Sequence, residues 1–317
     1  MKNITKDAQT LRADRRALRR KQLFPFAMMS PFFILTLIFV VVPIVLMILM
    51  SFTDMGFMLK WNFIGWDNYK KIFGYPTIAT ILGRTFVFVV VNTVLSLVGS
   101  IFVVIVTTYY LDIVYKRKNL GLIYRILWLI PNLTPTIVFM FIFRFVFGPQ
   151  EYGLINKILI WLGLPSVEWF TNYSMPLLML SCILRSASGS IILFSSAISQ
   201  IPDSIIQSAR VDGGSNLNIC FKIVLPYLTW PITQKTLWSI LGNFTTYEAI
   251  KLLTNGGPMG STTTYAYYIY QNAYAYRTYG YGAALSVFMV LMSVTMGMIM
   301  LRVFKVDKQL RAPRMDI

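Results

Sequence analysis

The sequence predicts an all-α, polytopic membrane protein with six transmembrane helices. Three observations predict it: a composition too apolar for water, six runs long enough to cross a bilayer, and a charge asymmetry between alternate connections. Of the 317 residues, 56% are hydrophobic and 13% charged, where soluble domains carry about 45–50% and about 25%. Lys and Arg number 29 against 12 Asp and Glu, a net charge of +17. On a soluble protein that balance suggests nucleic acid; on a membrane protein it reflects loops rich in Lys and Arg on the cytoplasmic side. The basic stretch 12–21 lacks the interleaved aromatics of a nucleic-acid binder, so nucleic acid is not expected as a partner. The chain has no histidine and two isolated cysteines, Cys182 and Cys220. A Ser/His/Asp triad, a Cys/His pair, a zinc-water site of the usual kind and a disulfide framework are thereby excluded. The expectation is a non-catalytic chain with no metal site.

A bilayer core of about 30 Å needs roughly 20 apolar residues in a helix. The runs fall at 24–50, about 85–108, about 122–147, about 175–198, about 228–253 and about 281–304. Basic residues precede the first run, as in a secretory signal, but the run exceeds the usual h-region and no A-x-A site follows, so it is expected to be retained. In the third run Pro131-Asn132-Leu133-Thr134-Pro135-Thr136 predicts a kink with freed carbonyls. Residues 1–23 then form a basic N-terminal segment, 24–304 the spanning domain and 305–317 a tail. Eight basic residues precede the first run, four lie in the second connection, two in the fourth and five at the C-terminal end. The other three connections hold three, one and one. The positive-inside rule puts both termini in the cytoplasm. The outer segments 52–83 and 148–173 carry Trp61, Trp66, Trp161 and Trp169. They read as short interfacial helices or lids, or simply as an aromatic belt.

The most informative stretch lies between the fourth and fifth runs, within residues 200–226. Pro202-Asp203-Ser204 is a helix-start signal. Residues 203–211 read as an amphipathic helix with Ile205, Ile206, Ala209 and Val211 to one side. Asp212-Gly213-Gly214 stops it, since glycine tolerates the left-handed backbone at a helix end. A second short helix, about 215–224, leads to Leu225-Pro226 and the fifth run. The alternative is an ordinary amphipathic interfacial loop.

This segment resembles the signature of binding-protein-dependent ABC importer permeases, E-A-A-x3-G-x9-I-x-L-P. Gln207-Ser208-Ala209, Gly213 and Ile223-Val224-Leu225-Pro226 match it without a gap. Leu252-Leu253-Thr254-Asn255-Gly256-Gly257-Pro258 is similar to an outer loop of the maltose and glycerol-phosphate branch. Asn62-Phe63-Ile64-Gly65 with Asn68-Tyr69 is similar to its first-subunit permeases. The resemblance implies a type I importer fold and a bacterial cytoplasmic-membrane location. It implies a second homologous permease, two cytoplasmic ATP-binding subunits, an extracytoplasmic substrate-binding protein and a carbohydrate substrate, an oligosaccharide (neutral or anionic) or a sugar phosphate. It assigns Gln207, Ser208, Ala209, Asp212, Gly213, Ile223, Leu225 and Pro226 to an ATPase-coupling loop. Where the family has Glu, this chain has Gln207, an amide that makes a neutral hydrogen bond rather than a charge-assisted one. The chain has no GxxxxGK[ST] phosphate loop, so ATP and Mg are expected in partner subunits rather than here.

Polar residues inside the runs mark a substrate path or helix–helix packing. In the fourth run Ser181, Arg185, Ser188 and Ser195 share one helical face, with Gly189 beside them. In the fifth, Lys235, Ser239, Gly242 and Thr246 do the same, with Asn243, Thr245, Tyr247 and Glu248 alongside. Together with Asn132 and Thr134 they offer hydroxyls, amides and aromatics suited to a sugar. An ion-gradient-driven secondary transporter is the alternative; it would want carboxylates in the membrane, and Glu248 is the sole candidate.

Overall fold

The computed structural model describes residues 24, 26 and 28–306. The expected N-terminal segment and residues 307–317 of the tail lie outside the described residues. Besides short turns such as Trp169–Asn172 and Leu225–Tyr227, the helices that organise the described part are α1 Met28–Met50, α2 Asp67–Gly74, α3 Thr77–Val114, α4 Lys118–Leu133, α5 Thr136–Val146, α6 Leu154–Trp161, α7 Ser174–Ser199, α8 Asp203–Val211, α9 Asn216–Ile219, α10 Thr229–Thr245, α11 Glu248–Leu253, α12 Tyr265–Tyr270 and α13 Tyr279–Val303. The one extended pairing among the described residues is a single bridge between Thr53 and Phe63.

Four of these helices, α1, α3, α7 and α13, are long and apolar enough to cross a bilayer, and the α4–α5 pair makes a fifth if counted as one span. The expectation of six spanning helices is therefore met only in part. The fifth run breaks at Thr246-Tyr247 into α10, of 17 residues, and the short α11. Lys235, Ser239 and Asn243 also make α10 more polar than the spanning helices. The second span is longer than its apolar core suggested: 38 residues from Thr77 to Val114 extend roughly 57 Å, well past a bilayer core of about 30 Å. Its last ten residues, Ile105–Val114, are wound as a π-helix.

The predicted kink in the third span is a bend of 100° between α4 and α5. Pro131 is accommodated inside α4. The break falls on Thr134-Pro135, because the residue before a proline is pushed out of the helical region: Thr134 has ψ 130° and Pro135 ψ 140°.

The core is centred on α3 and α7, which pack on each other more extensively than any other pair. In the most apolar window of α7, 44% of residues are buried; in that of α1 none are. α1 touches chiefly α13 and turns its apolar surface outward. One buried cluster (Val104, Tyr109, Ile198, Ile206, Ile219, Val224 and Leu228) seats the 203–227 loop at one end of α3 and α7. A second, around Phe88, Phe139, Met140, Leu178 and Ile250, fills the middle. A third, around Ile72, Ile81, Tyr265 and Leu285, closes the opposite end.

Candidate functional site

The loop between α7 and α10 forms as its residues dictate. Pro202 precedes α8, which ends with paired hydrogen bonds: Gly214 N–H donates to Ala209 C=O (2.9 Å) and Gly213 N–H to Arg210 C=O (3.1 Å). That is a Schellman closure, and it needs the left-handed backbone of Gly213 (φ +80°). Gly214 is constrained differently. A Cβ there would lie 2.6 Å from the Ala209 carbonyl oxygen. Ser215 caps α9 by accepting from the Asn218 N–H (3.3 Å). Cys220–Val224 continues as a π-helical turn into Leu225-Pro226.

Burial divides the loop into two faces. Ile206, Ile219, Cys220 and Val224 are buried against α3 and α7. Gln207, Ser208, Asp212, Gly213 and Pro226 are exposed, with Ala209, Ile223 and Leu225 half-buried. Val211, expected on the apolar side, is 87% exposed: one position past Arg210, it lies beyond the arc that Ile206 defines. Burial also pushes the Cys220 thiol pKa up.

Two side-chain anchors tie this loop to α3 and α3 to α4. The fully buried Tyr109 donates its hydroxyl to the Asn216 carbonyl at 3.0 Å. Arg125 of α4 reaches the same π-helical segment, donating to Asp112 Oδ2 (2.6 Å), Thr108 Oγ1 (2.9 Å) and the Thr107 carbonyl (3.3 Å). Gly121 lets α4 approach that closely; a Cβ there would meet the Thr107 carbonyl oxygen at 2.5 Å.

At its far end α4 delivers Asn132 to a cavity of about 360 Å³. The cavity is walled by α4–α5, α7 and the α10–α11 break. Asn132, Arg185, Asn243, Thr245, Thr246, Tyr247 and Glu248 line it, as do Thr136, Met140, Cys182, Ser186 and Ala249, which sequence reasoning missed. Thr134 stands behind the wall, its carbonyl accepting from Arg185 Nη1 at 3.1 Å. Gly189 faces Asn132, whose Oδ1 would lie 3.3 Å from an added Cβ. Ser188 is fully buried and bonds to the Leu184 carbonyl (2.6 Å). Of the predicted stripe only Arg185 lines the cavity; Ser181, Ser188 and Ser195 do not, and Ser181 and Ser195 likewise donate to carbonyls of their own helix. The face that meets the cavity carries Cys182, Arg185, Ser186 and Gly189. Asn243 also bridges to α3, donating to Thr93 Oγ1 at 3.2 Å. The cavity thus offers amides, hydroxyls, one guanidinium and one carboxylate. Among the described residues no cluster of His, Cys, Asp and Glu suits a metal ion.

A helical membrane protein with a polar central cavity and a two-faced loop at one end is the architecture of a solute permease. Residues 105–306 match the family described as the binding-protein-dependent transport system inner membrane component, and the chain belongs to that family. It is accordingly a multi-pass inner-membrane protein. It is 30% identical to the arabinooligosaccharides transport system permease protein AraP of Bacillus subtilis, over 89% of this chain and 88% of that one. It is 27% identical to the sulfoquinovosyl glycerol transport system permease protein SmoG of Agrobacterium fabrum, over 90% and 91%. Its fold superposes with a TM-score of 0.79, at 20% identity, on a chain of a bacterial alginate ABC transporter solved with an alginate pentasaccharide-bound periplasmic protein, covering 90% of this chain and 95% of that one.

Proposed function

We propose that this chain is a permease subunit of an ATP-driven importer that brings an oligosaccharide through the inner membrane. It pairs with a second, homologous permease, receives substrate from an extracytoplasmic binding protein, and is driven by two cytoplasmic ATPase subunits. The observation that carries this is the division of the 203–226 loop. Its apolar residues are committed to the chain's own core, and its polar row (Gln207, Ser208, Asp212) is left for a partner. Both termini and this loop then lie on the cytoplasmic side, as the basic residues of the connections favour.

The mechanism follows from the anchors. An ATPase that closes on ATP displaces α8. Tyr109 carries the displacement into the π-helical end of α3, and the Asp112–Arg125 pair passes it to α4. α4 ends at the Thr134-Pro135 break, where Thr134 holds Arg185 and Asn132 lines the cavity. Movement of the loop therefore reshapes the cavity wall. Its amides and hydroxyls match sugar hydroxyls, Tyr247 offers a ring face, and Arg185 has donors to spare for an acidic substituent. The substrates named for the relatives, arabinooligosaccharides and sulfoquinovosyl glycerol, support a saccharide.

The test is uptake into proteoliposomes that contain the permease pair, its ATPase and the binding protein. Accumulation should require internal ATP and persist when ionophores dissipate all ion gradients. Uptake that collapses with the gradient and survives ATP removal would contradict the proposal and favour a secondary transporter working through Glu248.

A further inference from the structure

A second cavity, of about 400 Å³, lies at the end of the molecule away from the 203–226 loop. Its walls include Arg144, Phe147, Glu168, Trp169, Phe170 and Leu253. It stands directly above the central cavity on the same pair of packed helices. Met140 on α5 and Ala249 on α11 line the lower cavity; Arg144 and Leu253, each four residues on, line the upper one. Four residues of helix are one turn and about 6 Å, so the two cavities are neighbours along the same helix pair.

The upper cavity is built rather than incidental. The fully buried Asn156 holds the outer segment 148–169 in shape. Its amide donates to the carbonyls of Gly148 (2.9 Å) and Val167 (3.0 Å), and its Oδ1 accepts from Val167 N–H (3.0 Å) and Trp169 Nε1 (3.1 Å). The indole is thereby fixed, edge-on to Phe147 with centroids 5.6 Å apart. Arg144 and Glu168 make no ion pair with each other and have no side-chain hydrogen bond among the described residues, although both border the same cavity. A rigid aromatic wall with an unpartnered guanidinium and an unpartnered carboxylate suits a molecule with C–H faces and peripheral hydroxyls.

We propose that this outer cavity is a receiving subsite for one sugar ring of an oligosaccharide, with Trp169 as the stacking platform and Arg144 and Glu168 as its hydroxyl-binding pair. The subsite takes its outward orientation and its saccharide class from the importer reading. A ring held here and the next held at Arg185 and Glu248 would place a di- or trisaccharide across both cavities.

The intact complex in nanodiscs, without its binding protein, is titrated with maltotriose, arabinotriose and an alginate trisaccharide while tryptophan emission is followed. At least one of the three is expected to quench emission saturably. Arg144→Ala, at an exposed position, should weaken that binding about tenfold, as for one charge-assisted hydrogen bond. Trp169→Phe should abolish the quench while lowering the unfolding temperature only slightly, by the loss of the single bond from Trp169 Nε1 to Asn156 Oδ1, whose other partner Val167 N–H remains. Absence of a quench with all three sugars, or a quench unaltered in both variants, overturns the subsite. ATP-driven uptake of one of these sugars with the same half-saturating concentration in Arg144→Ala also overturns it, while leaving the importer reading in place.

Discussion

Replacing Gly214 by alanine should damage the coupling loop more than replacing Gly213, although only Gly213 stands in the signature. At Gly213 an added Cβ meets nothing within 4 Å, so the cost is that of a left-handed alanine, roughly 1–2 kcal/mol. At Gly214 the added Cβ lies 2.6 Å from the Ala209 carbonyl oxygen and 3.3 Å from Ile219 Cγ1. The first of these is backbone and cannot swing aside. The turn must open, losing the Gly214-to-Ala209 hydrogen bond, about 1 kcal/mol, with overpacking strain of about 1–3 kcal/mol besides. At 1.4 kcal/mol per tenfold, Gly213→Ala should weaken docking of the ATPase by about five- to thirtyfold and Gly214→Ala by more than about thirtyfold. Titrating the detergent-solubilised permease pair with its ATPase, by interferometry, measures both. An affinity in Gly214→Ala equal to or better than that in Gly213→Ala would refute the geometry of the turn.

Three further outcomes are expected. Tyr109→Phe removes only the hydroxyl bond to Asn216, worth about 1 kcal/mol; ATPase binding should be retained while sugar transported per ATP hydrolysed falls, and an unchanged ratio contradicts the relay through α3. Asn156→Leu strips four hydrogen bonds from the outer segment, several of whose donors and acceptors are left buried at about 1–3 kcal/mol each; limited proteolysis should then cut within 148–173, where the wild type resists. Cys220 is buried with its thiol pKa raised, so thiolate is scarce at neutral pH. Maleimide labelling of Cys220, read by peptide mass spectrometry, should therefore be slow at neutral pH and rise only at a higher pH than for a free thiol, and Ile219→Ala should speed it by opening the cluster.

Local signals were the most legible part of the sequence. Pro202 starts α8, Gly213 ends it, and the helix spans Asp203–Val211 as the residues indicated. The break in the third span was legible for the same reason, since Pro135 constrains Thr134 whatever surrounds it; its 100° size was not, because packing of α5 on α11 sets it. The α10–α11 break carries no proline or glycine at Thr246-Tyr247, and nothing local announced it. Side-chain direction was the main loss. Ser181, Ser188 and Ser195 mimic a polar stripe, but a serine in an apolar helix satisfies itself on the preceding turn, so its hydroxyl says nothing about which face is wet. Arg185 and Glu248 were legible as cavity residues because one carbonyl of the preceding turn does not satisfy a charged group; Asn243 was not distinguished in this way, since Asn92 and Asn272 do bond back to the preceding turn. Asn156 was invisible for the opposite reason: its four partners come from chain segments on both sides, and only the folded loop brings them together.

The docking of the exposed row on α8 can be measured directly by cross-linking. With Ser208→Cys in an otherwise cysteine-free chain, a short bismaleimide should join this subunit to a cysteine placed in the ATPase cleft of the assembled complex, with a yield that changes when ATP is added. A complex that co-purifies with its ATPase, transports sugar, and yet gives no adduct from position 208 with or without nucleotide would contradict the role assigned to the loop.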